Sequence, residues 1–219
     1  MSEIIKKYGH VWTVIYFPIY MLWFMYIEKR PLDSYHVMHC FLDDYIPFVD
    51  IFIIPYLLWF VYIPAAWLFL FFKDKKEFYK FCIYLYGGMS ICLFICTIFP
   101  NGQNLRVHLD FNENILVHLL GFIYNSDSNT NVFPSIHVFN SIAIHLALMK
   151  SAHIKRGHWI YMISLSVMLL ICMSTIFLKQ HSLLDVLAGT ALAIVLYYLV
   201  YEVDYKRVFS TKKVDNPTN

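Results

Sequence analysis

Near the end of the chain, between two long apolar runs, lies Ser174-Thr175-Ile176-Phe177-Leu178-Lys179-Gln180-His181-Ser182-Leu183-Leu184-Asp185. Ionisable groups are costly in hydrocarbon and are usually functional where they occur there. His181 and Asp185 are four residues apart, so one helical turn brings them to one face. A carboxylate beside an imidazole fixes its tautomer and raises its basicity. A neutral imidazole held in this way can attack phosphorus and form a covalent phosphohistidine. Ser182-x-x-Asp185 also has the form of a capping box at a helix start, and the two readings coincide. A second junction, Phe133-Pro134-Ser135-Ile136-His137, supplies another histidine. Ser135 follows a proline and precedes an apolar run, which suits a helix N-cap. The free N–H groups of that helix start would suit a phosphate oxygen, and His137 in the first turn could donate a proton to a leaving oxygen. Capping alone for Ser135, and an interfacial polar role for His137, are the plainer alternatives. Lys179 lies two residues before His181, about 200° around an ideal helix. The two share a pocket only if the chain breaks near residues 178–181; otherwise Lys179 snorkels to the surface. Two histidines, an aspartate and cations at such junctions point to phosphoryl transfer.

Membrane-spanning helices must position these groups. The chain is 59% hydrophobic and 19% aromatic, with a mean hydropathy of +0.56. A helix needs about 17–25 mostly apolar residues to cross a bilayer. Six stretches qualify: 11–27, 51–72, 81–99, 132–149, 159–178 and 183–203. The fourth is the weakest, because His137, Asn140 and His145 interrupt it. The first lacks a small-residue cleavage site and reads as a span, not a removable signal. Basic residues then set the orientation. Lys6, Lys7, Lys73, Lys75, Lys76, Lys80, Lys150, Lys155, Arg156, Lys206, Arg207, Lys212 and Lys213 fall on one side, thirteen of seventeen. Lys29, Arg30, Arg106 and Lys179 fall on the other, with acids such as Asp33, Asp43, Asp44 and Glu113. The expected fold class is therefore all-α, a polytopic six-transmembrane-helix bundle with both termini cytoplasmic. Residues 1–209 form the membrane domain and 210–219 a polar tail. Arg106, Ser135, His137, Lys179, His181 and Asp185 all fall on the non-cytoplasmic face.

Other chemistries find little support. Four cysteines sit inside apolar spans and Cys40 is alone in the first outer loop, with no CxxC or zinc spacing. No glycine-rich phosphate loop occurs, and no nucleic-acid partner is expected. His36-x-x-His39 followed by Asp43 could ligate a metal, but a surface-lying amphipathic helix with its polar face in water is the favoured reading of that loop. A second outer loop, 100–131, carries Arg106 and a short apolar stretch at 115–124, expected as a half-buried helix. A transporter would show paired breaks in its two halves, and none emerges.

The junction residues resemble the motifs of the type 2 phosphatidic acid phosphatase superfamily, which includes lipid phosphatases, sphingolipid phosphotransferases and vanadium haloperoxidases. Its third motif, Ser-Arg, five residues, His, three residues, Asp, matches at Ser174, His181 and Asp185, with Thr175 in place of arginine. Its second, Pro-Ser-Gly-His, matches at Pro134, Ser135 and His137, with Ile136 in place of glycine. Its first, a lysine, six residues, then Arg-Pro, keeps Arg106 but has Phe99 and Val107 at the other positions. The Lys-Gln-His form of the third motif resembles the inositol phosphorylceramide synthase-like branch. The resemblance implies that His181 attacks phosphorus, Asp185 orients it and His137 protonates the leaving alkoxide. Arg106, Lys179 and Ser135 would bind the phosphoryl oxygens, with Lys179 standing in for the missing arginine. The substrate would be a membrane lipid phosphate or diphosphate, and no metal or cofactor is expected. A lipid phosphotransferase and a catalytically inactive relative are the alternatives.

Overall fold

In hydrocarbon every backbone polar group must be paired within its own segment, so each apolar run is driven into a helix. The computed structural model describes residues 8–31, 34–112, 114–154 and 159–203. Seven α-helices lie among them: α1 (Tyr16–Lys29), α2 (Ile53–Lys73), α3 (Lys75–Ile98), α4 (Ile115–Ser126), α5 (Ile136–Lys150), α6 (Trp159–Phe177) and α7 (Leu183–Tyr197). A 3₁₀ segment, Gly9–Ile15, leads into α1, and a π turn, Tyr198–Glu202, extends α7. Five segments are long and apolar enough to cross a membrane: Gly9–Lys29, Asp50–Lys73, Lys75–Ile98, Trp159–Phe177 and Leu183–Glu202. Their outward faces carry large apolar side chains such as Leu22, Phe60, Ile83 and Leu187, as a lipid-facing surface requires.

The expected fourth span, 132–149, differs. Only Ile136–Lys150 is helical, and its 15 residues reach about 22 Å, short of the roughly 30 Å hydrocarbon core. Helix α5 is instead the axle of the bundle, packed against α2, α3, α6 and α7. That position explains its polar residues, which meet protein and not lipid. His145 Nδ1 lies 3.0 Å from Ser164 Oγ, which in turn lies 2.6 Å from Tyr62 Oη. Close packing needs small residues at the contacts. A Cβ on Gly88 would fall 1.8 Å from the Phe139 ring, and one on Gly189 would fall 2.6 Å from the Ser135 carbonyl oxygen. The second contact lets the start of α5 sit directly against α7.

The two ends of the bundle differ chemically. At one end Asp74 caps α3 through Glu77 N–H, and the Glu77 carboxylate accepts from Ser151 Oγ and Ala152 N–H. Lys150 pairs with Glu202 there at 2.6 Å. Arg106, His137 and His181 gather at the opposite end, where α5 and α7 begin. Of the charges used to orient the chain, Lys6, Lys7, Lys155, Arg156, Lys206, Arg207, Lys212, Lys213, Asp33 and Glu113 lie outside the described residues, as does the 210–219 tail.

Three loop segments are stitched together above the site. Strand β1 (His36–Val37) pairs in parallel with β2 (Asn101–Gly102), and Gly102 bridges to Thr130. The side chain of Asn101 accepts from Val132 N–H and Phe133 N–H, both at 2.8 Å, and so fixes the entry to α5. The stretch at 115–124 forms a helix as expected, α4, capped by Asn114. The first outer loop does not form the expected surface helix. It holds β1 and a single 3₁₀ turn, Phe41–Asp44, and Asp43 is turned inward, 1% exposed. Its carboxylate accepts from the Ser182 hydroxyl and Leu183 N–H at the start of α7, which hold it inward.

Candidate active site

Helix α6 ends at Phe177 and α7 begins at Leu183, so 178–182 form the break that the Lys179–His181 spacing requires. Lys179 takes a left-handed backbone (φ 55°), which reverses the chain. The Thr175 carbonyl then accepts from both Gln180 N–H and His181 N–H at 3.0 Å, holding the turn over the end of α6. Ser182 and Asp185 form a capping box on α7. One carboxylate oxygen serves two purposes. Asp185 Oδ2 accepts from Ser182 N–H at 2.9 Å and lies 3.3 Å from His181 Nδ1. The capping box is formed, and the same oxygen lies beside the imidazole. An Nδ1–H donated to the carboxylate leaves the lone pair of His181 on Nε2.

That Nε2 lies 3.5 Å from His137 Nδ1. Ser135 caps α5 by accepting from Val138 N–H, and its own N–H donates to the Asp185 carbonyl at 3.1 Å. The two junctions are therefore tied directly to each other. Tyr56 and Trp59 of α2 pack on the His137 ring at centroid distances of 4.8 and 4.4 Å. His137, His181, Ser135 and Asp185 are all less than 10% exposed.

The histidines open into a cavity of about 300 Å³. Tyr20, Met21 and Phe24 of α1 and Trp59 and Phe60 of α2 form an apolar wall, while Asp127, Ser128, Thr130 and Asn131 form a polar rim. Apolar wall and polar rim together match a molecule with a hydrocarbon part and a charged head. Asp127 carries its own electrostatic signature. Burial pushes its carboxyl up to about 6, Glu28 adds to the rise, and Arg106 and His181 oppose it.

The other expected residues are engaged with the protein. Arg106 donates to the carbonyls of Tyr124 (2.9 Å) and Ser128 (2.8 Å) and to Gln180 Oε1 (3.0 Å), with its guanidinium 4.5 Å from the Tyr124 ring centre. Lys179 is in the right segment but its ammonium reaches elsewhere than expected, donating to the Asp43 carbonyl at 2.8 Å. The left-handed turn that presents His181 aims Lys179 at the first outer loop. The two missing family cations are not replaced in place: Phe99 stacks on His36 at 4.6 Å, and the Thr175 hydroxyl donates to the Cys172 carbonyl. Among the described residues no group of three or more His, Cys, Asp or Glu is placed to hold a metal, so the His36, His39 and Asp43 reading finds no cluster.

Sequence reasoning missed several contributors. Asp43 Oδ2 accepts from Ser182 Oγ (2.6 Å) and Cys40 N–H (2.8 Å), and Oδ1 accepts from Leu183 N–H (2.9 Å). Burial works to raise its carboxyl, yet these hydrogen bonds hold it below the usual range. Gln103 Nε2 donates to the Lys179 carbonyl at 3.1 Å. Gln180, beside the histidine, was the one with a local signal.

With this geometry in place, the family model described as the PAP2 superfamily matches residues 101–209, a span that contains Arg106, both histidine junctions and Asp185. The chain belongs to the PAP2 superfamily, the type 2 phosphatidic acid phosphatases, and its apolar helices make it a membrane member. Comparison with curated proteins and with solved structures gives no significant match. Membership indicates phosphatase-type activity on lipid phosphates.

Proposed function

We propose that the protein is an integral-membrane lipid phosphate phosphatase that works through a phosphohistidine on His181. The observation that carries this reading is the alignment Asp185 Oδ2, His181 Nδ1, His181 Nε2, His137 Nδ1, with steps of 3.3 and 3.5 Å across the ring, at the floor of a cavity with an apolar wall. Asp185 keeps the Nε2 lone pair available, and Nε2 attacks phosphorus. The ester P–O bond breaks, and His137 supplies the proton that the departing alkoxide needs. His137, neutral once it has given up that proton, takes one from water, whose oxygen attacks phosphorus and breaks the P–N bond, so that phosphate leaves and His181 is restored. Ser135 and the first N–H groups of α5 face the phosphoryl oxygens, with Arg106 supplying positive charge. Lys179 adds charge to the same junction while it anchors Asp43.

The lipid enters between α1 and α2, its chains against Phe24 and Phe60. Helix α5 serves as the sixth crossing, shortened because its neighbours shield it. The charge asymmetry supports a cytoplasmic location for both termini and a non-cytoplasmic site. A lipid phosphotransferase is the second reading, favoured by Asp127 in the rim, a carboxylate able to receive the hydroxyl of an alcohol as readily as that of water.

The test is incubation of purified protein with phosphatidic acid labelled on phosphorus, in mixed micelles, with and without glycerol or inositol. Acid-labile, base-stable label on the wild type, absent from His181→Asn, with release of free phosphate, is expected. Label passing into a new lipid or polyol phosphate at the expense of free phosphate selects the transferase. Absence of both label and turnover over a panel of lipid phosphates selects the inactive relative.

A further inference from the structure

The side-chain amide of Gln180 is 3% exposed and lies between the nucleophile and the one guanidinium of the site. Arginine has donors only, so the atom of Gln180 that meets Arg106 Nη2 at 3.0 Å must be the oxygen. Chemistry thus fixes the amide orientation, and its NH₂ points the other way. That nitrogen is buried and has no hydrogen-bond partner among the described residues. Leaving a buried donor unmet costs about 1–3 kcal/mol, so it calls for a partner, and this one stands at the cavity that holds both histidines. Gln180 lines the same cavity as His137 and His181, and its backbone is pinned by the Thr175 carbonyl, so the amide has little freedom to turn elsewhere.

We infer that Gln180 Nε2 is a phosphoryl-oxygen ligand of this site and that Arg106 acts through it as a positioning residue. The inference rests on the phosphoryl-transfer reading above and extends it. Two positions that carry cations in related motifs hold Phe99 and Thr175 here, and Arg106 already donates to two carbonyls. The amide, polarised by the guanidinium on its oxygen, supplies the missing contact. It is a neutral donor, so charge on the substrate is met by a hydrogen bond with the cation one step behind.

Orthovanadate, a phosphate-like anion that can adopt the geometry of phosphoryl transfer, is the probe. Its binding to full-length protein in detergent is read by tryptophan fluorescence, since Trp59 lies on His137 at the cavity floor. Gln180→Leu should weaken vanadate binding about 10- to 100-fold, the scale of a hydrogen bond to a charged group. Turnover of labelled phosphatidic acid should fall about 100- to 1,000-fold in kcat/KM, mostly in kcat. The melting temperature should change little, because removal of the unmet donor offsets loss of the acceptor that Arg106 uses, while Arg106 keeps the Tyr124 and Ser128 carbonyls. A merely structural glutamine would lower stability and activity together, and that outcome overturns the proposal. Vanadate affinity within threefold of wild type overturns it as well. Gln180→Glu, nearly isosteric, guards against misfolding: it should stay folded, its carboxylate still on Arg106, yet bind vanadate more weakly than Gln180→Leu. If the wild type turns over no lipid phosphate but binds vanadate in a Gln180-dependent way, the ligand assignment stands and the lipid reading falls.

Discussion

Replacing Asp43 by asparagine tests whether the loop that carries Asp43 holds the proposed nucleophile, His181, in place. Asp43 has no part in the cavity wall, yet its carboxylate accepts from Ser182 Oγ at 2.6 Å and Leu183 N–H at 2.9 Å, the two residues that follow His181. Its carbonyl accepts from Lys179 on the other side of the histidine at 2.8 Å. The clamp therefore grips the junction before and after His181. Hydrogen bonds to a charged group contribute roughly 1.5–3 kcal/mol each. Asparagine keeps one acceptor oxygen and turns an NH₂ toward a donor, so about 2–4 kcal/mol of local support is lost. Part of that loss appears as global destabilisation and part as a looser His181. A displacement near 1 Å in a reacting group costs about a hundredfold. Asp43→Asn should thus lower kcat by about 10- to 100-fold and leave KM for phosphatidic acid within about threefold, because the lipid does not touch it. Ser182→Ala should show a smaller version of the same pattern. The double variant should fall short of the sum, with a coupling of about 0.5–3 kcal/mol for partners in contact. Steady-state hydrolysis in mixed micelles, with melting temperatures in the same detergent, reads all three. Full additivity, or a change confined to KM, would refute the clamp.

His137→Ala should nearly abolish turnover of alkyl phosphates while sparing much of the activity on aryl phosphates with good leaving groups, since protonation matters most for poor ones; equal loss on both substrates would make His137 structural. Asp127 gives a pH signature of defined sign. Its folded value, about 6, lies above the ordinary 3.8, so the folded state holds the proton more tightly than the unfolded one. Its contribution to stability is complete below the ordinary value and is lost as pH rises through about 6. Asp127→Asn should therefore raise the melting temperature relative to wild type more at pH 7 than at pH 4.5, and a pH-independent difference would count against a carboxyl raised to about 6 in the folded state.

The two histidine junctions were legible because their signals are local. A four-residue spacing, a capping box and a proline before Ser135 each follow from one stretch of chain. Composition similarly exposed five helices of spanning length, since hydropathy depends on a window and not on partners. The stretch that holds α5 was the weakest of the six for the complementary reason. Its polar residues are tolerated because four helices surround it, and a window of residues carries no record of neighbours. Loop one failed in the same way: alternating polar and apolar residues read as a helix lying in water, whereas Asp43 answers N–H groups 140 positions further on. Lys179 shows how far a motif can be carried. Its type and segment fit a phosphate ligand, but a single positive φ decides where its amine goes. The departures from the family pattern then acquire a common cause. On the proposed reading, dipoles take the place of the cations absent at Phe99 and Thr175: backbone N–H groups at the start of α5, a clamped turn, and an amide whose oxygen is already taken by Arg106. Such a site stabilises charge through fixed orientation more than through net charge, which makes it sensitive to the residues that hold it still.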